Sequence, residues 1–147
     1  MHKYLFRIIA LAIIFSPLNL PVFGSNHLVE MFQEGVRLSN QGEYQKALNV
    51  YSEVIAADPS YAAAHLGIGI AYINLKKPEN ALPYVRRATE LNPRNRKAFF
   101  ILARLYERAD QKANAIKTWE HFLSLGPEAK YGRIAKRHLG KLSEDAR

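Results

Sequence analysis

Pro59, Pro93 and Pro127 stand 34 residues apart and close the segments Ala56–Pro59, Glu90–Pro93 and Ser124–Pro127. A fixed period of that length marks a repeat architecture, in which each unit is one supersecondary element and neighbouring units bury one another's apolar faces. Counting back from the prolines gives units 28–61, 62–95 and 96–129, joined without insertion.

Residue class recurs in the same register. The eighth position of each unit is small (Gly35, Gly69, Ala103) and the eleventh is large (Leu38, Tyr72, Tyr106). The twentieth is alanine (Ala47, Ala81, Ala115), the twenty-fourth bulky (Tyr51, Val85, Trp119) and the twenty-seventh apolar (Val54, Ala88, Phe122). Apolar residues three and four apart share one helix face, so each unit holds two helices of about 12–15 residues. The small residues at positions 8 and 20 let the paired helices approach, and the large ones at 11 and 24 fill the space beside that contact. Gly42 suits a helix C-cap and Pro78 a first helical turn. The terminal prolines stop the second helices, because proline and its predecessor disfavour helix continuation.

These positions resemble the tetratricopeptide repeat family over residues 28–129. The pattern departs from it at the fourth position, where an aromatic is common and Met31, His65 and Phe99 stand. The resemblance implies an all-α fold, a helical repeat (α-solenoid) of three antiparallel helix pairs. The last pair of a solenoid needs a cover. In residues 129–142, Tyr131, Ile134, Ala135, Leu139 and Leu142 share a face, with Lys130, Arg133, Lys136, Arg137 and Lys141 elsewhere. A C-terminal capping helix is therefore expected, and residues 130–147 form cap and tail of a repeat domain spanning 25–147.

The first 24 residues differ. Lys3 and Arg7 precede the apolar run Ile8–Phe15, then come Pro17, Pro21 and the small-residue site Val22-Phe23-Gly24. This order reads as a secretory signal peptide cleaved after Gly24. The run is well short of the roughly 20 residues that span a bilayer. An exported protein is expected, in a bacterial periplasm or cell envelope, with an uncleaved membrane anchor as the alternative. Cleavage removes two bases and no acid, lowering the net charge from +8 to +6.

Catalytic signatures are missing. There is no cysteine, which excludes disulfides, thiolate metal sites and thiol catalysis. Gly67-Ile68-Gly69 lacks the third glycine of a dinucleotide loop, since Tyr72 stands there, and it falls inside an expected helix. It reads instead as helix packing at Gly69 and a widened groove at Gly67. No two of His2, His27, His65, His121 and His138 are three or four apart, so a helix-borne zinc site is unsupported. His65 reads as a packing residue. There is neither a nucleophile elbow nor a Walker loop, and Glu43, Glu53 and Glu79 read as solvated. The expectation is a non-enzyme with no cofactor and no metal.

In the family resembled, the first helix of each pair lines a concave surface through positions 2, 5, 6, 9, 12 and 13. Carried over, this gives Val29, Phe32, Gln33, Val36, Ser39 and Asn40 in unit one, and Ala63, Leu66, Gly67, Ile70, Ile73 and Asn74 in unit two. Unit three gives Lys97, Phe100, Ile101, Arg104, Glu107 and Arg108. The groove is then apolar over two units and basic over the third. Some relatives clamp a terminal carboxylate with lysine, asparagine and arginine. Those places hold Phe32, Val36, Gly67, Lys97 and Ile101, and only Lys97 matches, so that clamp is not expected. The expected partner is a protein or peptide. Self-filling by residues 25–30, by a retained leader or by a second copy is the competing reading.

Charge runs along the chain. The three units carry −3, +3 and +2, and residues 130–147 carry +4. This is a solvated cationic face, or a contact with an acidic partner or an anionic surface through Arg86, Arg87, Lys130, Arg133, Lys136 and Arg137. Nucleic acid is not expected, given the export signal and the lack of a stacking platform. The functional expectation is an adaptor or scaffold of the bacterial envelope. The alternative is a structural assembly subunit, a homo-oligomer joined through its repeat ends or groove.

Overall fold

The computed structural model describes residues 25–144. The expected signal segment and residues 145–147 lie outside the described residues. Seven helices follow in order: α1 (Ser25–Asn40), α2 (Tyr44–Ala57), α3 (Ala62–Asn74), α4 (Pro78–Leu91), α5 (Arg96–Arg108), α6 (Lys112–Ser124) and α7 (Ala129–Glu144). All regular structure among the described residues is helical. Each helix packs on its chain neighbours, so α1/α2, α3/α4 and α5/α6 form three antiparallel pairs and α7 covers α6.

One turn geometry joins the two helices of every unit. The fifteenth residue is left-handed each time: Gly42 (φ 79°), Lys76 (φ 61°) and Asp110 (φ 54°). The next amide then donates to the carbonyl of position 11: Glu43 N to Leu38 O, Lys77 N to Tyr72 O and Gln111 N to Tyr106 O, each at 2.9 Å. This six-to-one bond satisfies a carbonyl that the helix end leaves open. Only unit one places glycine there. Between units, Asp58 accepts from Ser60 N at 2.9 Å and Ser60 Oγ at 2.6 Å, which lowers its carboxyl from the ordinary range. Asn92 accepts likewise from Arg94 N, and Asn95 caps α5 by accepting from Ala98 N at 3.1 Å.

The expected close approach is present. Ala47, Ala81 and Ala115 are fully buried, as are Val85 and Trp119, with Tyr51 3 % exposed. The side chain at position 24 occupies the space that position 8 vacates. A β-carbon on Gly35 would lie 2.5 Å from Tyr51 Cε1, and one on Gly69 would run into Val85 Cγ2. Gly67 differs from its expectation of widening the groove. A β-carbon there would stand 2.7 Å from Tyr51 Cζ, so this glycine makes room for the same ring from the next unit.

The first two cores each draw on two units, and the third on unit three and the cap. The first joins Leu38, Leu48, Tyr51 and Val54 to Ala64 and Ile68; the second joins Leu66, Val85 and Ala88 to Ala98, Leu102 and Leu105. The third closes Ala103, Trp119 and Phe122 with Ala135 and Leu142 of α7. Fully burying a side chain of this size contributes about 1.5–3 kcal/mol, so contacts between neighbours supply much of each unit's stability.

A polar pin fixes the cap. Glu107 of α5 accepts from the Trp119 indole N–H of α6 at 2.5 Å, and its other oxygen lies 2.9 Å from His138 Nδ1 of α7. The His138 ring stacks on Trp119 at 5.3 Å and 25°. One expectation for the cap fails: Tyr131 is 40 % exposed rather than covered. It lies in the first turn of α7, while the helix buries its later residues Ala135 and Leu142.

Candidate functional groove

The first helices carry the expected surface residues into three environments. Val29 and Val36 of α1 are 42 % and 36 % exposed; with Tyr131 they are the exposed large apolar side chains of the described residues. Phe32 is half-buried, its ring 5.7 Å from Tyr51 and 5.3 Å from Tyr61. Ile70 and Ile73 rest half-buried on the second core. Leu66 departs from its assignment to the groove surface: it is 8 % exposed and belongs to the second core. Asn74 is exposed, but its amide donates to Ile70 O at 2.9 Å, within its own helix.

Unit three gathers the remaining residues around two clefts. One of about 470 Å³ opens between the starts of α5 and α7, where Phe100, Ile101, Phe122 and Tyr131 form its walls and Arg96 and Lys97 its rim. Phe100 meets Trp119, Phe122 and Tyr131 edge-on at 5.3–5.6 Å, which holds its ring upright between the helices. The second cleft, about 560 Å³, runs along α5 and brings Ile73 to Phe100, Ile101, Arg104 and Arg108. Phe100 and Ile101 belong to both, so the two clefts meet across these side chains. Phe32, Val36, Leu66, Ile70 and Asn74 line neither.

Arg96, Phe122, Pro127, Glu128 and Tyr131 join the first cleft without having been assigned to the groove. In the structure, Arg96 Nη1 donates to Gly126 O of the α6–α7 connection at 2.9 Å. That bond ties the loop to the start of α5.

The electrostatics are uneven. Arg37, Lys46, Arg86 and Arg87 pair with carboxylates three or four residues away on the same stretch of chain. Among the described residues, Lys97, Arg104 and Arg108 form no ion pair. Glu107 lines the second cleft but already faces Trp119 and His138. Among the described residues no group of three or more His, Cys, Asp or Glu could hold a metal ion, and no helix is long and apolar enough to cross a membrane.

Paired helices in register, glycines that admit a neighbour's side chain, and a capping helix over the last pair define a helical-repeat protein. The tetratricopeptide repeat model matches residues 32–88 and 69–121, and the chain belongs to that family. It is 27 % identical to mouse tetratricopeptide repeat protein 28 over 128 residues, 77 % of this chain and 5 % of that protein. It is 26 % identical to mouse PEX5-related protein over 100 residues, 68 % of this chain and 18 % of that one. The chain thus spans a fifth or less of these relatives.

Among solved structures, the first repeat domain of Spaghetti (RPAP3), bound to the HSP90 peptide SRMEEVD, is 25 % identical with a TM-score of 0.73; the match covers 86 % of this chain and 98 % of that one. MamA of Desulfovibrio magneticus is also 25 % identical, with a TM-score of 0.65 over 82 % and 76 % of the two chains. The Yersinia enterocolitica type III secretion chaperone SycD, in complex with a peptide of the translocator YopD, shares the fold at 13 % identity and a TM-score of 0.73; coverage is 84 % and 98 %.

Proposed function

We propose that this chain is a non-catalytic adaptor or scaffold that holds a peptide or helix of a partner protein along its groove. One observation carries the reading. The exposed large apolar side chains, Val29, Val36 and Tyr131, stand at the groove positions of α1 and in the α5–α7 cleft. Val29 and Val36 lie two turns apart on one face of α1, and Tyr131 walls an apolar cleft rimmed by charged residues, the kind of surface that marks an interaction site. The peptide bound to the Spaghetti domain supports the same use of this fold. The grip differs here from a lysine–asparagine–arginine clamp, because Phe32, Val36 and Ile101 occupy its places. The basic start, short apolar run and small-residue site before Ser25 support work in a bacterial envelope after export.

Photocrosslinking tests the groove. A photoreactive residue in place of Val36 or Arg104 is expected to capture the partner in native envelopes. The same residue at the exposed positions Glu53 and Lys117, on the second helices, is expected to capture little. Equal capture from all four positions would overturn the reading. Reading the mature N-terminus in the same preparation tests export: an intact Met1 start counts against cleavage after Gly24.

The charge gradient favours a second reading, self-association of the acidic first unit with a basic end. Concentration-dependent sedimentation that collapses at moderate salt would replace the adaptor by this assembly.

A further inference from the structure

The cleft between α5 and α7 has a chemistry of its own, and the inference from it rests on the groove reading above. Its inner walls are aromatic and aliphatic: Phe100, Phe122, Ile101 and the half-open Tyr131. At about 470 Å³ it has room for one large side chain together with the backbone that carries it. The cap builds one wall, so this pocket exists only where α7 docks on α5 and α6.

The rim is positive. Arg96 and Lys97 stand at the mouth, and the Lys130 ammonium sits 5.8 Å from the Tyr131 ring centroid. Glu128 is the acid of the lining. Across the shared Phe100–Ile101 shelf, Arg104 and Arg108 continue the positive edge into the second cleft. Lys97, Arg104 and Arg108 have no carboxylate partner among the described residues, as is true of most bases from unit two onward; what sets these three apart is their place on the lining of the apolar clefts. Cations left unpaired beside an apolar pocket attract a ligand that brings its own carboxylates, and such complementarity selects against basic partners.

We propose that the α5–α7 cleft receives one large apolar side chain, aromatic or leucine, from an acidic segment of a partner protein. Flanking Asp or Glu residues of that segment lie along Arg96, Lys97, Arg104 and Arg108. The anchor gives affinity by leaving water, and the flanks give sign selectivity and speed of encounter. A terminal carboxylate is not required, because the lysine–asparagine–arginine clamp is incomplete.

The test uses the full chain and four pools of fluorescent synthetic peptides of about 12 residues, a length that fills such a groove. Three pools carry a central Phe, Leu or Trp flanked by Asp/Glu, by Lys/Arg or by Ser/Asn; the fourth is acidic without an apolar residue. Fluorescence polarisation is read at low and moderate salt. The acidic anchored pool is expected to bind at least about tenfold tighter than the basic one, and to weaken steeply with salt. Tyr131→Ser and Lys97→Glu alter exposed side chains and are expected to keep wild-type helix content by circular dichroism. Tyr131→Ser should weaken the acidic anchored pool about fivefold or more, and Lys97→Glu should shrink its advantage over the basic pool.

Equal binding of the acidic pool with and without its anchor overturns the pocket. A preference for the neutral or basic pool that Ile70→Asp abolishes and Tyr131→Ser spares overturns this inference while leaving the groove standing. Binding of no pool overturns both. Salt-sensitive self-association lost in Lys97→Glu would make a second copy, with its acidic first unit, the occupant and overturn the choice of a partner protein.

Discussion

Gly35 and Tyr51 form one packing unit: the ring lies where the glycine's β-carbon would be, with 2.5 Å left to Cε1. Gly67 bounds the same ring from α3. Tyr51 is 3 % exposed, and burial raises its phenol above the ordinary range despite the Ser39 hydroxyl 3.4 Å away. Gly35→Ala is expected to destabilise the fold by about 1–3 kcal/mol, the range for overpacking a filled core. Tyr51→Leu should cost less in a Gly35→Ala background than in the wild type, since each change opens or fills the same space. A double-mutant cycle by urea denaturation checks this, and strictly additive losses would refute it.

The left-handed turn residues give a prediction of opposite sign. Lys76 and Asp110 hold positive φ with a side chain, where unit one has Gly42. A left-handed residue with a β-carbon costs roughly 1–2 kcal/mol, less for aspartate, which bonds locally. Lys76→Gly is therefore expected to stabilise by about 0.5–1 kcal/mol, after allowing for the freer unfolded chain. Asp110→Gly should gain less, and Gly42→Ala should destabilise. Thermal melts of the three variants give the order directly.

Register was legible in the sequence because packing demands it: a ring at position 24 needs a small residue at position 8, and Tyr51 with Gly35 shows the demand met. The turns were legible only where glycine advertised them, at Gly42; Lys76 and Asp110 take the same conformation because the six-to-one bond and the adjoining helices hold them there. Of the assigned groove positions, Ile73, Lys97, Phe100, Ile101, Arg104, Glu107 and Arg108 line the clefts, and depth was not legible. Leu66 shares its position with Phe32 and Phe100, yet it sits with Val85, Ala98 and Leu102 in the second core. The α5–α7 cleft was not legible, because it depends on how α7 is rotated about its axis. A helical pattern grouped Tyr131 with Ala135 and Leu142, and docking left Tyr131 at the open end.

Acid should weaken the junction between units one and two. The Asp58 carboxylate accepts two bonds from Ser60, and these bonds hold its pKa below the ordinary value. A carboxyl depressed in the folded state contributes stability above its unfolded pKa and loses it as pH falls through the folded one. The loss therefore falls below about pH 4. Glu34, held low by its bonds to Arg37, acts in the same window. Both groups are exposed, so the effect is small and screened. Asp58→Asn keeps an acceptor for Ser60, as Asn92 does for Arg94, and should narrow the difference in urea midpoint between pH 7 and pH 3. An unchanged difference would assign the acid sensitivity elsewhere.

The pin at the cap ties stability to the groove. Glu107 joins α5 to the Trp119 N–H of α6 and to His138 of α7, and the Trp119 side chain is fully buried. Removing the carboxylate leaves the indole N–H without its acceptor, a loss of about 1–3 kcal/mol. Glu107→Ala is expected to show this loss and Glu107→Gln less, because the amide oxygen can still accept. The loss should be local. Hydrogen exchange in Glu107→Ala should quicken most in α7, whose apolar hold on the core is Ala135 and Leu142, with Leu139 packed beside them. Helices α1 and α2 share no core with that site and should keep their protection. Since α7 supplies the Tyr131 wall of the cleft, loosening the cap should also weaken capture from Arg104 more than capture from Val36. Uniform loss of protection along the chain would mean that the repeats unfold as one unit and that the pin holds the whole fold rather than its end.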